Sequence, residues 1–138
     1  MKRLFIFLFP LLSLIACREV VKPDLCEAVI RDSQRYQNDA SDGFQLIEAK
    51  LEGDCLIITV SYGGGCGEVD FTLLAIEGET FSLPPQIPMR LILDDNDNCE
   101  ALVSEELQFD LSLLQNEGGN GLHMLDLEGV DEMIEYQY

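Results

Sequence analysis

The chain has 138 residues, with 26 acidic and 8 basic side chains and a net charge of -18. Such a charge repels nucleic acid and anionic lipid head groups, and it attracts cations or a basic protein. Nearly half the residues are apolar and the acids are dispersed, which excludes an acidic disordered tail and fits one folded domain.

Met1 to Ala16 reads as a secretory signal: Lys2 and Arg3 precede an apolar run, Leu4 to Ala16. Thirteen residues interrupted by Pro10 are too few for a spanning helix, which needs about 20. The ending Leu14-Ile15-Ala16-Cys17 resembles bacterial lipoprotein signals, in which the cysteine takes lipid and becomes residue one. That resemblance implies a mature protein anchored to a membrane through Cys17 without spanning it. Arg18 follows, not the Asp that favours inner-membrane retention, so the expected address is the outer membrane of the cell envelope. Losing residues 1–16 removes two positive charges and makes the mature net charge -20.

Residues 17–24 form a polar tether with Pro23, and 25–138 a single β-rich domain. Leu25 to Tyr36 reads equally as a short helix or an irregular leading segment: Leu25 with Val29 and Cys26 with Ile30 have helical spacing. Asn38 to Gly43 is a turn. Phe44 to Leu51 and Cys55 to Tyr62 flank Glu52-Gly53-Asp54 as a hairpin, the second strand β-branched and central. Val69 to Glu77 alternates as a strand. Pro84, Pro85 and Pro88 lie in an extended connection ahead of a short apolar run, Met89 to Leu93. Leu107, Phe109, Leu111 and Leu113 alternate with polar residues as a strand, and Leu122 to Leu127 pairs with Met133 to Tyr138 around Gly129. The pattern predicts an all-β sandwich of about seven strands, Ig-like in general architecture, with room for a short N-terminal helix.

Assigning Cys17 to lipid leaves Cys26, Cys55, Cys66 and Cys99, an even set in an oxidising compartment. Several connectivities are open. Cys26–Cys55 and Cys66–Cys99 are favoured because each joins neighbouring stretches of chain. No Cys-x-x-Cys spacing points to zinc or dithiol chemistry.

The loop Ser61-Tyr62-Gly63-Gly64-Gly65-Cys66-Gly67 has glycines but neither the lysine nor the following helix of a phosphate cradle. Cys66 would need a positioned base to act as a nucleophile, and the only histidine is the distant His123. The expectation is a strand connection pinned by a disulfide, with no catalytic residue and no resident metal. The stretch Asp94 to Glu100 carries a partial EF-hand spacing, with Asn96, Asn98 and Glu105 at the later ligand positions. Cys99 stands where the pattern needs glycine. Asp94, Asp95 and Asp97 remain candidates for loose Ca²⁺ binding against a plain Asx-rich turn.

Ser61-Tyr62-Gly-Gly-Gly-Cys66, Phe71-Thr-Leu73, Pro84-Pro85, Cys99-Glu100-Ala101 and Phe109-Asp110-Leu111-Ser112 together resemble a group of small uncharacterised lipoproteins of Bacteroidota-type bacteria. The resemblance spans about Leu56 to Leu114 and Ile134-Glu135-Tyr136, and the group has no assigned activity. Its members carry histidines near the positions of Val69-Asp70 and Leu93-Asp94 here, so any metal site they build is missing from this chain. The resulting expectation is a non-enzymatic envelope lipoprotein with an unidentified protein or glycan partner and no nucleic acid. The alternatives are an inhibitor of a basic secreted enzyme such as lysozyme, or a weak calcium-binding module. Loose calcium binding at the acidic loop predicts that the unfolding temperature rises with millimolar Ca²⁺ and falls again with chelator.

Overall fold

Alternating apolar residues build two layers that face each other. In the strand Cys55–Gly64, Leu56, Ile58 and Val60 point inward and are sealed from solvent. Opposite them lie Phe71 and Leu73 of Val69–Ala75, and Met89, Leu91 and Leu93 of Gln86–Asp95. Residues 26–138 are described here by a computed structural model. The signal-like stretch 1–16, Cys17, the tether 17–24 and Leu25 lie outside the described residues.

Among the described residues the nine strands are β1 (Glu27–Ala28), β2 (Ile30–Arg31), β3 (Phe44–Glu52), β4 (Cys55–Gly64), β5 (Val69–Ala75), β6 (Gln86–Asp95), β7 (Ala101–Asp110), β8 (Leu122–Leu127) and β9 (Ile134–Gln137); one α-helix, α1, covers Ser33–Asn38. One sheet runs β1-β7-β4-β3 and the other β2-β5-β6-β8-β9. The fold is therefore an all-β sandwich, as the alternation predicts. Three pairings are parallel, β1–β7, β2–β5 and β6–β8, so both sheets are mixed.

Three local readings are corrected. The segment after Cys26 is not one helix or an irregular lead. It forms two short strands, and Val29 between them is buried in the core. The helix starts later, where the Asp32 side chain accepts from the amides of Gln34 and Arg35 at 2.9 Å each. Edge pairing with β7 and β5 outweighs the helical spacing of four residues. The apolar run Met89 to Leu93 is only the middle of β6, which extends from Gln86 through Pro88. Pro88 sits where β6 passes from β5 to β8, so its missing N–H breaks no continuous ladder. The strand read from Leu107 to Leu113 instead begins at Ala101 and ends at Asp110. A 3₁₀ turn, Ser112–Leu114, then buries Leu114 and leaves Leu113 exposed.

The disulfides join Cys26 to Cys55 and Cys66 to Cys99, the connectivity favoured by chain proximity. The first ties the start of the domain to β4, with Cα atoms 6.4 Å apart. At the same end, Tyr136 donates to Asp54 Oδ1 at 2.9 Å, and Gln115 Nε2 donates to both the same oxygen and the Tyr136 hydroxyl. That triad links the β3–β4 turn of one sheet to β9 of the other.

Phe109→Ala removes a large sealed side chain and is expected to cost about 3–5 kcal/mol in urea unfolding. Replacing Cys26 and Cys55 together by Ser is expected to cost about 3 kcal/mol. Leu102→Ala, at an exposed position, stays within about 0.5 kcal/mol.

Candidate functional site

The glycine-rich loop and the acidic loop meet at one end of the sandwich, where Cys66 bonds Cys99. Asp97 is the centre of that meeting. Its Oδ2 accepts from the amides of Gly65 (2.6 Å) and Cys66 (2.9 Å), and its Oδ1 accepts from Cys99 (2.8 Å). These amides, led by Cys99 and followed by Gly67 and Cys66, hold the Asp97 carboxyl down at about 2. Gly65 has φ +113°, a conformation costly for other residues, and a Cβ on Gly67 would lie 2.7 Å from Asp97 Cα. The glycines thus form a nest of N–H groups that binds an anion, and the anion is the chain's own carboxylate.

This geometry bears on several candidate chemistries. Cys66, Asp97 and Cys99 are the one metal-sized group among the described residues, but their two sulfurs are bonded to each other and offer no thiolate. The calcium candidates are not assembled into a cage. Asp94 and Asp95 are successive residues of β6 and so point to opposite faces. Asp95 Oδ1 accepts from the Asp97 amide at 2.7 Å, Asp94 Oδ1 accepts from Asn96 at 3.3 Å, and Asp97 is committed to the nest. His123 is buried on β8, with Nε2 3.0 Å from Glu79 Oε1 and no partner on Nδ1. Among the described residues no hydroxyl or thiol is hydrogen-bonded to it.

A different site lies on the outer face of the four-stranded sheet. The β4–β7 register sets Cys55 against Asp110, Ile57 against Gln108 and Thr59 against Glu106, and Lys50 of β3 stands opposite Ile57. These residues, with Glu52, Asp54 and Ser112, line a groove of about 580 Å³ whose floor is Ile57 and the Cys26–Cys55 disulfide. Lys50 is the only cation among the described residues that line it, 3.6 Å from Glu52. Asp54 is engaged by Tyr136 and Gln115, and Asp110 by the amide and hydroxyl of Ser112. Glu106 has no side-chain partner within the groove. An apolar floor under carboxylates suits an arginine or lysine side chain, with its stem on Ile57 and its head on Glu106.

Sequence reasoning singled out the acidic loop and missed this groove. The alternation Glu106, Gln108, Asp110 marked one polar strand face, but the partners across the sheet depend on a register that the sequence does not display.

No family model matches this chain, and no curated protein does. Solved structures do. A NigD-like immunity protein from Bacteroides caccae superposes with a TM-score of 0.61 at 13% identity, covering 83% of this chain and 63% of that one. A toxin-related protein from Parabacteroides distasonis gives a TM-score of 0.51 at 13% identity, covering 83% and 60%. A protein of unknown function, DUF1344, from Bacteroides vulgatus gives 0.50 at 12%, covering 82% and 55%. The chain spans less than two thirds of each of these proteins. At such identities the likeness is one of fold, and all three neighbours come from Bacteroidota.

Asp97 supports a prediction about acid. Its pKa in the folded state lies below the ordinary 3.8, so its contribution to stability is present above pH 3.8 and is lost as pH falls toward about 2. Asp97→Asn should unfold at lower urea concentration at pH 7 and show a shallower loss of stability between pH 4 and 2.

Proposed function

We propose that this chain is a non-enzymatic binding module of the bacterial cell envelope, held at the outer membrane by lipid on Cys17. The observation that carries the binding role is the acidic groove with an apolar floor. Every Lys and Arg in residues 26–138 is already engaged. Arg35 is held by Asp39, Lys50 by Glu52, Arg90 by Glu128, and Arg31 by the Leu113 carbonyl. The surface therefore meets a partner as a set of carboxylates, which favours cationic proteins and speeds their approach.

A second reading makes the bound partner a basic secreted enzyme that is inhibited by the contact. It draws support from the fold likeness to a NigD-like immunity protein and a toxin-related protein. Both readings need attachment at the membrane and a salt-sensitive contact.

Cys17→Ala is expected to move the protein from the membrane fraction to the soluble fraction without changing its unfolding curve. Immobilised protein is expected to retain lysozyme or another basic hydrolase at about 20 mM salt and to release it near 0.5 M, where screening is nearly complete. Inhibition of the retained enzyme supports the second reading, and retention without inhibition supports the first alone. Failure to retain any basic protein at low salt overturns the charge-driven contact.

A further inference from the structure

The connection between β5 and β6, residues 76–85, carries two fully exposed apolar side chains, Phe81 and Leu83. Singly exposed apolar residues are ordinary on protein surfaces. These two are presented by a loop built to hold them out. The Gln86 amide donates to Thr80 Oγ1 at 3.0 Å, and the Thr80 amide donates to the Gln86 carbonyl at 3.1 Å. The Thr80 and Ser82 hydroxyls lie 2.7 Å apart, and Ser82 donates to the Pro84 carbonyl at 2.8 Å. Since the Ser82 proton goes to Pro84, the proton between the two hydroxyls belongs to Thr80. The result is one directed chain of hydrogen bonds, from Gln86 through Thr80 and Ser82 to Pro84. It satisfies the Thr80 and Ser82 hydroxyls within the loop.

The base of the loop is tied at three further points. The Glu77 amide donates to Ser33 Oγ, Glu79 contacts the buried His123, and the Pro85 carbonyl accepts from the Met124 amide. Phe81 and Leu83 alternate with the inward hydroxyls of Thr80 and Ser82. An aromatic and an aliphatic side chain held ready on an ordered loop bind with little conformational entropy left to lose.

Charge decides the occupant. Between Leu51 and Tyr138 the only Lys or Arg is Arg90. Arg90 is taken up by Glu128 and by the carbonyls of Tyr36 and Asp39. Glu77 and Glu79 stand on the loop itself. A second copy of this chain brings the same negative charge, and an anionic membrane surface brings more of it. A cationic protein does not. We infer that Phe81 and Leu83 are the apolar anchors of a docking surface for a basic protein, entering a pocket on it while Glu77 meets its positive rim. This rests on the binding-module reading and adds the β5–β6 loop to the sheet groove as a second contact with that partner.

The test places a photo-crosslinking p-benzoylphenylalanine at Phe81, at Lys50 in the groove, and at exposed Leu102 as a control, in the full chain expressed in its native host. The expected result is an adduct from Phe81, but not from Leu102, to one protein richer in Lys and Arg than in Asp and Glu. Its yield should fall severalfold with Glu77→Lys. With that protein purified, Phe81→Ala combined with Leu83→Ala should weaken binding at least about tenfold. The same double variant should leave the unfolding temperature unchanged, because neither side chain is buried. An adduct to a second copy, to lipid or to a protein without excess positive charge overturns the inference, as does a Phe81 adduct indifferent to Glu77→Lys. An adduct from Lys50 without one from Phe81 overturns the loop and leaves the groove reading standing. No adduct from either position overturns both.

Discussion

The sandwich depends on the crossing made by residues 27–31. Glu27–Ala28 pairs with β7 of one sheet, Ile30–Arg31 pairs with β5 of the other, and Val29 between them is sealed in the core. One short stretch of chain therefore closes the open side of both layers. The Cys26–Cys55 bond fixes where that stretch begins, next to the first residue of β4. The inner faces of β4 and β7 can then be covered by β5, β6 and β8, and the apolar alternation of each strand becomes burial.

Each end of the sandwich is held by an internal carboxylate. At one end Asp97 fills a nest of amides from the glycine-rich loop beside the Cys66–Cys99 bond. At the other, Asp54 gathers Tyr136 and Gln115, and burial, assisted by Asp54, pushes the Tyr136 hydroxyl above its ordinary pKa. These acids act as structural anions. Groups that look like ligand-binding chemistry in the sequence are spent on holding loops. Among the described residues, Glu106 of the sheet groove and the apolar pair on the β5–β6 loop are not engaged in this way.

That division bears on function. A fold shared with a NigD-like immunity protein and a toxin-related protein at 13% identity carries no activity with it. The surface chemistry carries more. Carboxylates outnumber cations heavily, the cations of residues 26–138 are engaged, and the exposed aromatic stands on a hydrogen-bonded loop. The chain's only histidine is buried against Glu79.

Several features were legible in the sequence because they rest on local pattern. Alternation placed β3, β4, β5, β8 and β9 within a few residues, and proximity favoured the cysteine pairs that the structure joins. Asp97 stood out within an acidic run, but its role did not, since the Gly65 and Cys66 amides it binds lie some 30 residues earlier. The Leu25–Tyr36 segment was ambiguous because helical spacing over four residues says nothing of the two strand edges waiting for it. The groove over Ile57 exists only once β3, β4 and β7 are in register. The exposure of Phe81 and Leu83 follows from a hydrogen-bonded loop that turns Thr80 and Ser82 inward. The sequence by itself determined the layers, because burial period is written residue by residue. Only the tertiary structure decided which carboxylates are structural and which face outward, because that depends on partners brought together from distant parts of the chain.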